Sequence, residues 1–108
     1  MKDFQCYQLS LKGVRAVRPL LERIQKHDAD LARQLRRCLA SVPLNIAEGS
    51  ESRGKNRLSR YATAMGSARE VVACLQTAEA LGYLREQDLP VAVDLFDHTV
   101  AILFKLSR

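Results

Sequence analysis

The stretch Ser41 to Asn56, SVPLNIAEGSESRGKN, decides how this chain is divided. It sets Pro43 inside a run whose apolar residues, Leu31, Leu35, Cys38, Leu39, Val42 and Ile46, recur three and four apart, as on the buried stripe of a helix. Proline removes the bond from its own nitrogen to the carbonyl four residues earlier, here Leu39, so the pattern predicts a bent helix. Gly49 then reads as the residue just past the helix end, where glycine takes a positive φ without a Cβ penalty. Beyond it the chain turns through serines and basic residues. Asn45 and Glu48, beside the apolar stripe, are expected to form a polar joint with Ser67 or Glu70 across the fold.

Working outward from this break, three further segments show helical spacing, and none alternates with the period of two that marks a strand. One runs from about Gln8 to Lys26, with Leu9, Val14, Val17, Leu20, Leu21 and Ile24 on its apolar side and Gly13 weakening its start. The segment holding Pro43 covers about residues 30–48 and opens on Asp28 or Asp30 as N-cap. A third covers about 56–81, with Leu58, Tyr61, Ala62, Met65, Ala68, Val72 and Leu75 inside, and Gly82 closes it. The fourth, about 88–106, takes Asp88 as N-cap and tolerates Pro90 in its first turn. Short connections make neighbours antiparallel, so the expectation is an all-α, up-down-up-down four-helix bundle that takes up residues 1–108 as one domain.

The fourth segment is apolar nearly all round, and Val71 to Leu75 give the third a wider arc than one core-facing stripe needs. Helices with two apolar faces in a short chain point to a homo-oligomer.

The formal charge of +5 is unevenly spread. Residues 1–60 hold 13 Lys and Arg against 6 Asp and Glu, whereas residues 61–108 hold 4 against 6. A basic half implies an anionic partner more strongly than a uniform surplus would. Its densest part is Arg53, Lys55, Arg57 and Arg60, at the start of the third helix, where cations oppose the helix dipole. A helix N-terminus flanked by arginines suits phosphate. Arg33, Arg36 and Arg37 lie three and four apart on the second helix and are expected beside that cluster. No aromatic platform or helix-turn-helix spacing for reading bases is visible, so the expected contacts are to RNA or DNA phosphates. The competing reading is a scaffold or adaptor for a protein partner, with the charge incidental.

Enzyme signatures are absent: there is no GxGxxG, P-loop, GxSxG or HExxH. Cys6, Cys38 and Cys74 are widely spaced and read as reduced, packed thiols, and they join His27 and His98 in no metal-ligand spacing, so no metal or cofactor is expected. The start MKDFQCYQLS has no signal-peptide core and apolar runs such as Val100 to Phe104 reach only five residues, so a cytoplasmic, non-membrane protein is expected.

These residues resemble a known family. Ser41, Val42, Pro43, Asn45, Ile46, Ala47, Glu48 and Gly49 match a motif of the four-helix-bundle proteins encoded in intervening sequences of bacterial 23S ribosomal RNA genes. Gly66, Ser67 and Glu70 match its second motif, and Leu81, Gly82 and Tyr83 its Leu-Gly-Tyr turn. The accessory variability determinant proteins of diversity-generating retroelements are related to the same family. The resemblance implies a bundle assembling into a homo-oligomeric ring, typically a pentamer, with a basic surface. For the retroelement branch it implies binding to nucleic acid and to a reverse transcriptase. The early Trp usual in the first helix is missing here, with Phe4 and Tyr7 the nearest aromatics.

Overall fold

A computed structural model describes residues 2–108, with side chains from Asp3 onward. It contains helices α1 (Lys2–His27), α2 (Ala29–Ser50), α3 (Gly54–Ala80) and α4 (Pro90–Leu106), with one 3-10 turn, Glu86–Asp88, ahead of α4 and no strand among the described residues. The helices pack in the cyclic order α1, α2, α3, α4 and back to α1, a square bundle 42 Å long and 23 × 18 Å across.

The α1 stripe is Cys6, Ser10, Gly13, Val17, Leu20 and Ile24, an unbroken alternation of four and three. The helix therefore begins at Lys2 rather than near Gln8, and it continues through the exposed Pro19. Gly13 is no weak start. A Cβ there would lie 2.7 Å from the ring of Phe96, so the missing side chain is what lets α1 close onto α4.

Of the two candidates, Asp28 rather than Asp30 caps α2: its Oδ1 accepts the Leu31 N–H at 2.9 Å. Its Oδ2 accepts the hydroxyl of Tyr83 at 3.1 Å, which pins the connection between α3 and α4 to this corner. The helix runs unbroken past the buried Pro43 and does not stop at Gly49. The expected positive φ belongs instead to Gly54 (57°), which opens α3, and to Gly82 (86°), which follows it. Gly49 is a glycine for a different reason, since a Cβ there would sit 2.6 Å from Cδ1 of Tyr61.

The α3 stripe also differs from the predicted one. Tyr61, Ala64, Ala68, Val71, Leu75 and Ala78 are the fully buried positions, alternating three and four, and their small alanines let α2 approach closely. Of the other residues expected inside, Leu58 and Ala62 are exposed, whereas Met65 and Val72 are half-buried at the edge of the core. On α4 the buried positions are Ala92, Phe96, Thr99 and Leu103.

Asp88 does not cap α4, whose cap position is Leu89 followed by Pro90. Its carboxylate accepts from Arg23 Nη2 at 2.9 Å and from the Arg85 N–H at 2.7 Å. The Arg23 bond, then the Arg85 amide, hold it well below the usual carboxylate range.

Candidate nucleic-acid interface

Gly54, in the left-handed region, turns the chain so that α3 begins directly after Arg53. Arg53 occupies the N-cap position in extended backbone and offers no side-chain acceptor, and no acid lies in the first turn. The amides of that turn are thus left for water or a ligand. Arg53 and Lys55 are both exposed, and among the described residues neither forms an ion pair.

The other two residues of this cluster have acidic neighbours. Arg57 is half-buried, with its guanidinium carbon 5.1 Å from the ring centroid of Tyr61 and Nη2 3.9 Å from Asp3. Arg60 reaches Glu48 at 3.8 Å. An arginine stacked on a fully buried tyrosine is part of the packing, so Arg57 is not freely available to a phosphate.

Arg33, Arg36 and Arg37 do not stand beside this cluster. They lie near the opposite end of α2, and at 1.5 Å per residue about 20 Å of helix separates Arg37 from the α2 C-terminus. Arg33 Nη1 bonds Asp30 at 2.8 Å and Arg36 Nη2 bonds Gln25 at 2.9 Å. Arg37 lines a polar groove between α2 and α3 with Gln34, Ser41, Ser67 and Glu70. The cations therefore form separate patches, because α2 carries its two ends to opposite ends of the bundle.

Ser67 does join the motif that carries Pro43 and Asn45, but through Ser41. The two hydroxyls lie 2.7 Å apart, and Asn45 Nδ2 donates to Ser41 Oγ at 3.0 Å and to the Ser41 carbonyl at 2.9 Å. Glu70 accepts from Gln34 at 3.3 Å. Glu48 takes no part in this seam; it is exposed and faces Arg60. Neither Asn45 nor Glu48 therefore reaches Ser67 or Glu70 directly: the joint across the fold is made by Ser41, which Asn45 braces from one turn along, while Glu48 points outward.

Two features escape sequence reasoning. The hydroxyl of Tyr61 is buried and has no hydrogen-bond partner among the described residues. Burial also pushes the pKa of this hydroxyl up, opposed by Arg57. Only the Tyr among aliphatic core neighbours could have signalled it. Asp3 is the other, since nothing in the sequence links it to Arg57. The thiols are protonated at neutral pH: burial pushes Cys6 up to about 11 and Cys38 up to about 12, and it raises Cys74 as well. No helix among the described residues is long and apolar enough to cross a membrane.

Residues 2–105 match the family described as 23S rRNA-intervening sequence protein. Among solved structures, the chain is similar to a protein of unknown function from the S23 ribosomal protein family of Bacteroides thetaiotaomicron, with a TM-score of 0.85 and 16% identity, covering 99% of this chain and 98% of that one. At that identity the likeness establishes the fold alone. A search of curated proteins found no match.

Proposed function

We propose that this chain, which belongs to the 23S rRNA-intervening sequence protein family, is a non-enzymatic, cytoplasmic protein that self-associates and binds RNA or DNA through phosphates. The observation that carries the binding is the start of α3. Two exposed cations, Arg53 and Lys55, have no acidic partner among the described residues, and they flank helix amides that no side chain caps. Positive charge there is unfavourable to the helix itself, and a bound phosphate relieves it. Arg60 extends the field and Arg57 supports it from within; Arg37 belongs to a separate patch in the α2/α3 groove. Self-association is supported by exposed apolar side chains, among them Phe4 (60% exposed), Leu58 (45%) and Phe104 (54%). A closed ring, with five copies favoured, is the assembly proposed. The family description refers to where the gene lies and names no ligand, so RNA and DNA are both tried.

The test is the double variant Arg53→Glu, Lys55→Glu, titrated with a fluorescently labelled RNA hairpin and a DNA duplex at several salt concentrations. Wild type should bind with a steep salt dependence, and the variant should bind at least about tenfold more weakly with a shallower slope. Absence of wild-type binding at low salt would sink the proposal and leave the adaptor reading, in which the exposed surface meets a protein such as a reverse transcriptase. Equal binding by the variant would remove these two residues from the interface.

A further inference from the structure

The polar groove between α2 and α3 encloses about 430 Å³ and lies apart from the cations that open α3. Along α3, Ser67 on its floor is about 20 Å of helix from Arg53.

The floor is built from two serines that break the habit of the other hydroxyls. Those of Ser10, Ser50, Thr63, Thr77, Thr99 and Ser107 bond carbonyls three or four residues back. Ser41 and Ser67 instead meet across the groove, with 2.7 Å between their oxygens. Asn45 Nδ2 fills an acceptor position on Ser41 Oγ at 3.0 Å. Two hydroxyls hold two hydrogens, and this pair uses one of them whichever oxygen donates. The other has no acceptor among the described residues and is left for a ligand.

The walls carry opposite charges that do not meet. Arg37 comes one turn before Ser41 on α2, and Glu70 one turn after Ser67 on α3. Because the two helices are antiparallel, both stand on the same side of the serine pair, on facing walls. Glu70 Oε2 accepts the Gln34 amide at 3.3 Å, and among the described residues Arg37 forms no ion pair. The remaining charges, Asp30 and Arg33, are closed on each other at 2.8 Å. What is open to a ligand is one guanidinium, one carboxylate with an oxygen to spare, and one hydroxyl hydrogen.

An anion by itself would suit Arg37 and the hydroxyl but would be repelled by Glu70. A cation by itself would face Arg37. A molecule carrying one anion and one cation on neighbouring atoms satisfies both walls and matches the groove charge for charge. We propose that the α2/α3 groove binds a free α-amino acid. Its carboxylate lies on the Arg37 fork and the spare hydrogen of the Ser41 and Ser67 pair, and its ammonium donates to Glu70. The volume also holds a side chain, for which Gln34 and the paired Asp30 and Arg33 form a polar wall.

The experiment follows backbone amide NMR shifts of the full-length protein during titration with free L-amino acids, one at a time. The same amino acids are then offered with the amine acetylated or the carboxylate amidated, and acetate and inorganic phosphate serve as anions without an ammonium. At least one free amino acid should shift the amides of Ser67 and Glu70 saturably, with a midpoint below about 1 mM. Each blocked derivative should bind at least about tenfold more weakly, since each lacks one of the two charges. Arg37→Gln and Glu70→Gln, with circular dichroism confirming the fold, should weaken binding by a similar factor. Arg53→Glu with Lys55→Glu should leave it unchanged, which separates this groove from the phosphate site. Absence of a saturable shift with every amino acid would overturn the proposal. So would acetate or phosphate binding as tightly as the amino acid, which would mark an anion site only, or full-strength binding by Glu70→Gln.

Discussion

Replacing Gly49 with Ala should destabilise the fold even though Gly49 lies in a helix. Glycine to alanine in an open helical position gains up to about 1 kcal/mol from backbone entropy alone. Gly66, in α3, is such a position: a Cβ there meets nothing within 4 Å. At Gly49 the added carbon would lie 2.6 Å from Cδ1 of Tyr61, whose side chain is fully buried and has nowhere to swing. Carbons normally stop about 3.5–4 Å apart. Relieving that overlap by displacing a packed ring costs about 1–3 kcal/mol, and more than the propensity gain returns. Gly49→Ala is therefore expected to lose about 1–2 kcal/mol. Gly66→Ala should gain about 0.5–1 kcal/mol. For a domain of this size the two variants should melt roughly 8–12 °C apart. The assay is thermal and urea unfolding followed by circular dichroism at one fixed protein concentration, because assembly adds to apparent stability. Repeating Gly49→Ala in a Tyr61→Leu background isolates the contact, and there its cost should nearly vanish. Equal stability of the Gly49 and Gly66 variants, or an unchanged cost in the Tyr61→Leu background, would refute the reasoning. Gly49→Asn makes the contrast sharper. A helix-ending residue of positive φ tolerates asparagine, whereas a helical glycine under a ring should tolerate it less well than alanine.

Tyr61→Phe removes a buried hydroxyl that has no partner among the described residues while keeping the ring under Arg57, so it should stabilise the protein by about 1 kcal/mol in the same unfolding assay. Loss of stability would show that the hydroxyl is satisfied. Asp88 provides a pH test. Its folded-state pKa is lowered by Arg23 first and the Arg85 amide second, so its stabilisation is fully present above the ordinary carboxylate value, near 4. As pH falls below about 5 the unfolded chain takes up a proton that the folded one still refuses, and the advantage is lost progressively toward the lower folded value. Wild type should exceed Asp88→Asn in urea midpoint at pH 7, with the gap narrowing as pH falls from about 5 toward 3; a gap independent of pH would contradict the assignment.

Much of the architecture was legible because it depends on local rules. Asp28 caps α2 by a bond three residues long, Gly82 follows α3 with a positive φ, and the three-and-four spacing marks every helix. Boundaries failed where a local rule met a tertiary contact. Gly13 and Gly49 read as weak or terminal because propensity treats glycine as a breaker, yet Phe96 and Tyr61 require both glycines inside helices. The α3 stripe was placed off-centre because Leu58, Met65 and Val72 are as apolar as the fully buried positions, and alanines at 64, 68 and 78 give periodicity little to weigh; Tyr61, Ala68 and Leu75 are buried as expected, Met65 and Val72 lie at the core edge, and Leu58 is exposed.

The candidate site divides in the same way. The sequence by itself determined that the basic half exists, that Arg53 and Lys55 open a helix, and that the second and third helices carry the Ser41, Asn45 and Ser67 motif. Only the tertiary structure decided which cations remain available. Pairing Arg57 with Asp3, and Arg60 with Glu48, needs groups brought together from separate helices, whereas Arg57 and Tyr61 are four residues apart on α3. The same packing parts Arg37 from Arg53 along the length of α2. Charge is a property of residues and is read along the chain, whereas a patch is a property of distances that exist only once the helices are packed.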